Sequence, residues 1–252
     1  MDRRKFLSAA LVTAAAGSTL PWTQTYAASA LRVGYFDRYW PFSLRREDGA
    51  MTGLLIESLD AIARSANVVL EHAGYPWART QVMVERGELD AFCTVPTQGR
   101  MGYAIFCKTP VISMEYGFYH RIDDPRPGLV RSLEDLRSLV QGTYRGSGYT
   151  TEYLEADRMI FFHDEETVLK RIALGTIDTL VEGEYVGTAR VKSLGLENHL
   201  RFTAAPWLPK ANFCFGVRRS HAEAESIIKK MEAATIAATS AGELKAIAAK
   251  YR

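Results

Sequence analysis

Residues 75–110 read YPWARTQVMVERGELDAFCTVPTQGRMGYAIFCKTP. Tyr75-Pro76-Trp77 sets an aromatic residue at a helix start, where proline is tolerated because the first backbone N–H groups have no partner in the helix. Ala78, Val82 and Val84 stand among charges, the pattern of an amphipathic segment. Gly87-Glu88-Leu89-Asp90 then stops the helix and opens a short apolar strand over residues 91–95. A polar loop, Pro96-Thr97-Gln98-Gly99, delivers Arg100. A flat ring and a fixed cation therefore stand on adjacent element ends. That pairing suits a small ligand with an apolar part and an anionic group, because a guanidinium grips a carboxylate through two parallel hydrogen bonds.

The whole chain has 252 residues, enough for one large or two small domains. With 47% hydrophobic and 24% charged residues it has an ordinary globular composition. The first thirty residues are predicted to be a signal peptide. Arg3-Arg4-Lys5 is a basic start, residues 8–20 an alanine-rich apolar run, and Ala28-Ser29-Ala30 or Thr25-Tyr26-Ala27 a cleavage site. The apolar run is shorter than the ~20 residues that span a bilayer. The arginine pair favours twin-arginine over general secretory export, with Asp2 as a departure; no cysteine marks a lipoprotein. The leader holds three of the 31 basic residues and one of the 29 acidic ones, so the remainder is balanced. A neutral mature chain gives no reason to expect nucleic acid or an anionic membrane surface as partner.

Cys93, Cys107 and Cys214 are an odd set, and Cys93 and Cys214 lie in apolar strand-like runs. Buried thiols are expected in preference to a Cys93–Cys107 bridge. Neither the cysteines nor the five histidines show metal-ligand spacing, so no metal and no cofactor is expected.

Gly87-Glu88-Leu89-Asp90-Ala91, then Thr97-x-x-Arg100, then Phe106 and Pro110, resembles the signature of the family 3 extracellular solute-binding proteins, periplasmic receptors for polar amino acids in ABC import. The resemblance extends over nearly all of the chain after the leader. It implies an α/β, two-lobed periplasmic-binding-protein-like fold of type II. Each lobe is a mixed sheet flanked by helices, and two segments form the hinge. Lobe 1 would be residues 31–117 and 212–252, and lobe 2 residues 118–211. The implied protein is a periplasmic monomer that captures a small carboxylate-bearing solute, an amino acid or derivative, and delivers it to an inner-membrane ABC permease, with no chemistry. Two other readings stay open: a dehydratase-like enzyme on the same fold, and a ligand-sensing subunit that docks on a membrane receptor.

Carried over by position, the resemblance puts Tyr39 and Trp77 against the body of the ligand, with Trp77 thirteen residues before Asp90. Thr94 would offer a hydroxyl at a strand end. Arg100 and a helix start at Gly146, Ser147 and Tyr149 would take the carboxylate, since free N–H groups and the helix dipole suit an anion. A serine nucleophile at Ser147 does not fit, because Arg145 occupies the first glycine position of Gly-x-Ser-x-Gly. Residues 174–184 repeat the glycine-to-aspartate motif. Amino-acid binders carry an aspartate eight residues after that glycine, for the α-ammonium; here it is Gly183, between Glu182 and Glu184. Either glutamate substitutes, or the ligand is not a standard α-amino acid.

The remaining pattern predicts strands at 31–36, 68–73 and 211–217, and an extended crossing at 114–120. Helices are expected from 53 to about 65, after His163, and over 222–239. Trp40 and Phe42 read as core aromatics and Glu57 as structural. Ser132 caps a short helix, and Ser240-Ala241-Gly242-Glu243 reads as a capping box before a last helix.

Overall fold

The computed structural model describes residues 30–145 and 147–251, so residues 1–29 of the predicted leader, Gly146 and Arg252 lie outside the described residues. β1 (Leu31–Phe36) leads into a small antiparallel sheet of β2 (Arg38–Tyr39), β3 (Ser43–Arg45) and β4 (Met51–Thr52). Helix α1 (Leu54–Ala66) returns the chain to β5 (Leu70–Tyr75), parallel to β1 with Leu31 opposite Leu70. Its buried side includes Leu55, Leu59, Ile62 and Ala63, the helical spacing that holds it on the sheet. Asn67 ends it in the left-handed region at φ 52, and Val68 N–H bonds back to Ala63 O at 3.0 Å. This closure delays the strand, which starts at Leu70, two residues later than predicted.

Helix α2 (Trp77–Arg86) ends at Gly87, at φ 81, and β6 (Ala91–Thr94) follows with all four residues buried. A strand covered on both faces reads as a continuous apolar run rather than an alternation. Next come α3 (Gln98–Tyr103), β7 (Ala104–Phe106) and β8 (Ile112–Met114). The first sheet runs β5-β1-β6, then the return strand β14 (Ala211–Arg218), then β7, with β8 also paired to β14.

The second sheet begins one residue beyond Glu115. β9 (Tyr116–Arg121) lies between β12 (Thr179–Gly183) and β13 (Leu200–Ala204), antiparallel to both. Around it fold α4 (Leu133–Leu136), β10 (Gly142–Tyr144), α5 (Gly148–Tyr153), β11 (Ile160–Phe162), α6 (Glu165–Ala173) and α7 (Glu184–Ser193). The molecule is thus two α/β lobes, and the chain passes between them at Glu115 and through residues 205–210. Lys210 Nζ lies 2.6 Å from Glu115 Oε1, and Ala205 N–H donates to Tyr116 O at 3.0 Å, so the two crossings are tied together.

Helices α8 (Ala224–Ser240) and α9 (Glu243–Ala249) close the first lobe against α1. Glu57 accepts hydrogen bonds from Tyr251 Oη at 2.7 Å and Lys250 Nζ at 2.8 Å, which pins the C-terminal turn. The expected capping box is corrected: Ser240 is the last residue of α8, and α9 starts after Gly242, at φ 74, with no side-chain cap. Trp40 also departs from the core reading. It is 46% exposed with its ring edge on Tyr251, while Phe42 is fully buried. Ser132 does cap α4, accepting from Asp135 N–H. Cys93, Cys107 and Cys214 are buried free thiols.

Candidate functional site

A cavity of about 580 Å³ is lined from both lobes. The first lobe contributes Tyr39, Trp77, Thr94 and Arg100, and the second Tyr144, Ser147, Tyr149, Glu165 and Glu182. Arg100 sits on α3, whose start is capped by Thr97 Oγ1. Its guanidinium donates to Val95 O at 2.8 Å and to Gln81 Oε1 at 3.0 Å, and lies 5.2 Å from the centre of the Trp77 ring. The ring therefore covers the cation, and a cation–π contact of this kind contributes roughly 0.5–2 kcal/mol. Together these contacts fix the direction of the fork. Thr94 is buried at the end of β6. Tyr39 is stacked between Phe36 and Phe42, with ring centroids 5.9 and 5.3 Å away.

On the facing lobe, Ser147 caps α5 and its hydroxyl is 2.8 Å from Thr150 Oγ1. Tyr149 lies flat on Tyr116 at 3.4 Å between ring centres and donates to Pro209 O at 2.9 Å. Glu182 is 5% exposed; its Oε2 accepts from Tyr144 Oη and its Oε1 from Gly183 N–H, both at 2.7 Å. Glu184 is elsewhere. It opens α7, where its N–H donates to Glu115 O and its O accepts from Tyr119 Oη, and it is not among the cavity-lining residues. Of the two predicted carboxylates, only Glu182 is brought to the cleft.

The cleft holds a second carboxylate that no motif in the sequence singled out. Glu165 follows the N-cap Asp164 and is 8% exposed. Its Oε2 is 3.4 Å from Arg190 Nε, and its buried Oε1 has no hydrogen-bond partner among the described residues. The signal was available: Glu165, Val168, Leu169 and Ile172 are the buried residues of α6, at the i, i+3, i+4, i+7 spacing of an inward face. Burial, and then the Glu182 charge, push the Glu165 carboxyl up to about 7 against the pull of Arg190. Burial likewise raises Glu182, opposed by its bonds from Tyr144 and Gly183.

The folded chain binds the Glu165 proton more tightly than the unfolded chain. Stability of the ligand-free protein therefore falls as pH rises from about 4.5 to about 7, by on the order of 2–3 kcal/mol, and is level above. Urea denaturation at pH 5 and pH 8 measures this. Glu165→Gln is expected to flatten the difference and to be the more stable protein at pH 8.

The departure at Gly183 has a steric cause. A Cβ built there collides with Sδ and Cε of Met114, which is fully buried. Met114 thus fills the space into which an aspartate would project. Gly183→Ala is expected to cost about 1–3 kcal/mol by overpacking, measured by thermal denaturation, with most of the loss recovered in the Met114→Ala background.

Residues 31–252 match the bacterial extracellular solute-binding proteins, family 3, and the chain belongs to that family. It is 24% identical over 231 residues, 88% of this chain and 84% of the relative, to the probable amino-acid-binding protein YxeM of Bacillus subtilis (strain 168). Its fold is similar to that of a histidine kinase sensor domain with similarity to periplasmic binding proteins, at TM-score 0.68 and 21% identity over 88% of this chain and 96% of the other. It is also similar to the L-cystine solute receptor of Neisseria gonorrhoeae in its unliganded open conformation, at TM-score 0.69 and 18% identity over 88% and 92% of the two chains. Among the described residues no helix is long and apolar enough to cross a membrane.

Proposed function

We propose that the protein is exported to the periplasm, captures an amino acid or a close derivative in the cleft, and presents it to an inner-membrane ABC permease. One observation carries this reading: a guanidinium held in place on one lobe faces buried carboxylates on the other, within one cavity. A small zwitterion meets both signs of charge at once; Arg38, Arg145 and Arg190 also line the cavity. In this reading Arg100 takes the ligand carboxylate with help from the Ser147 helix start, Thr94 adds a hydroxyl, and Tyr39, Tyr149 and the Trp77 edge bound its body. Glu182 takes the cation. Gly146 lies outside the described residues. Lobe closure turns on the two crossings.

Membership of the family and the likeness of the chain to a probable amino-acid-binding protein support this reading. A thermal-shift screen of the mature chain at pH 7.5 against amino acids, opines, polyamines and small carboxylates tests it, because a bound ligand raises the melting temperature by mass action. A shift with an amino acid or derivative is expected. Shifts confined to carboxylates without an amine, or none at all, would count against it.

A second reading draws on Glu165 and Glu182. Two buried carboxylates, one of which titrates at about 7, are also what acid–base chemistry on a bound acid requires. Proton NMR of each screening hit after overnight incubation separates the two: an unchanged ligand favours capture, and a dehydrated product favours the enzyme.

A further inference from the structure

We propose that Glu165 and Glu182 together form a cation subsite in which an ammonium or guanidinium group of the ligand takes the place of a bound proton. The proposal rests on the reading of the cleft as a ligand site and specifies what the second lobe recognises.

Two observations meet here. The first is the placement of the pair. Glu165 starts α6 and Glu182 lies on β12; both are more than nine-tenths buried, and both line the cavity. Two carboxylates buried in one cavity, one feeling the charge of the other, resist being charged together, so one of them holds a proton until a cation arrives. The second is an acceptor without a donor. Glu182 already receives Tyr144 Oη and Gly183 N–H, but Oε1 of Glu165 is buried and receives nothing among the described residues. A buried acceptor left unmatched is costly and is rarely retained without a reason. A ligand nitrogen that carries N–H groups supplies the donor and the charge in one step. A quaternary ammonium supplies the charge alone.

The phenols facing the pair do not perform this exchange. Tyr39 from β2, Tyr116 and Tyr119 from β9 and Tyr144 from β10 are phenols that burial holds neutral. Arg190 from α7 pulls on Glu165, and Asp164 beside it pushes back; with both in place the carboxyl still titrates near neutrality. When the cation binds, both carboxylates ionise and the displaced proton leaves to solvent. Affinity for a cationic ligand therefore rises with pH through the neutral range.

The test uses the mature chain carrying carboxyl-13C glutamate, with Glu165→Gln and Glu182→Gln to assign the two resonances. Methylguanidinium at roughly 50 mM is the probe, high enough to fill a weak site by mass action, and tetramethylammonium is the control. The ligand-free protein is expected to show the Glu165 resonance titrating near 7. Methylguanidinium is expected to lower that midpoint by about one pH unit or more, a tenfold preference for the ionised pair, and tetramethylammonium, which brings charge but no donor, to lower it by clearly less. A ligand-free midpoint in the ordinary carboxylate range, a midpoint unmoved by methylguanidinium, or an equal response to both cations would overturn the proposal. The wild-type titration needs no variant to fold. Its outcome is also independent of whether any amino acid shifts the melting temperature, so failure here and failure of the capture reading are told apart.

Discussion

Arg100→Ala is expected to fold and to lose its ligand. The guanidinium is the cation that the first lobe offers at the Trp77 side of the cleft, and its donors to Val95 O and Gln81 Oε1 hold it for a second, bidentate partner. Truncating one member of a hydrogen-bonded charge pair inside a closed site costs roughly 3 kcal/mol or more, about a hundredfold in affinity. The folded chain loses less, because Arg100 is half-buried and its contacts are local to one loop and one helix. Calorimetric titration of the screening hit reads the first effect, and thermal melting of the ligand-free variant the second. Arg100→Lys keeps the charge but not the planar fork, and an intermediate loss of about tenfold is expected. Undiminished binding by Arg100→Ala would remove the carboxylate clamp from the account.

Asp90→Ala is expected to act on the fold instead, by about 3 kcal/mol. Asp90 ends the glycine-to-aspartate motif and is 7% exposed. Its Oδ2 accepts from the N–H of Arg32 at 3.1 Å and from Arg32 Nε at 3.2 Å, and its Oδ1 from Arg218 Nη2 at 3.2 Å. One carboxylate thus joins β1, where the described chain begins, to β14, which returns from the second lobe. Without it two guanidiniums stand side by side with no counter-charge between them. Burial pushes the Asp90 carboxyl up, but the hydrogen bonds and charge of Arg32, with help from Arg218, hold it below the usual carboxylate range. Its stabilisation is therefore complete above the ordinary carboxylate pKa and fades only as pH falls through the depressed value. Urea denaturation at pH 7 measures the loss. The gap between wild type and Asp90→Ala should narrow in acid, below about pH 4.

These two variants mark what was legible in the sequence. The stop at Gly87 and the apolar strand after it are local patterns, and the structure has them within a residue; Arg100, expected at the end of a loop, lies instead inside α3, which already begins at Gln98. The partners of Arg100 were not legible, because Gln81 approaches from another element and Val95 acts through its backbone. Glu182 and Glu184 could not be separated by strand alternation: the strand ends at Gly183, and Glu184 already belongs to the next helix. Glu165 was legible in principle from the inward face of α6, but a carboxylate beside an N-cap has an ordinary explanation that hid the second one. Trp40 and Ser240 failed for opposite reasons. An aromatic next to Phe42 was assumed to share its burial, and a serine with an acid three residues on was assumed to start a helix that in fact ends there. What stands at Gly183 depends on Met114 from a strand that contributes to the other sheet, a contact that only the fold creates.

The central claim is that one ligand is gripped by opposite charges from the two lobes at once. Isothermal titration calorimetry of the screening hit beside its deaminated and its decarboxylated analogues tests this most directly. The account predicts that each analogue binds at least about a hundredfold more weakly than the parent, since each gives up its contact with the charged group of one lobe. An analogue lacking either charged group that binds as tightly as the parent would contradict it.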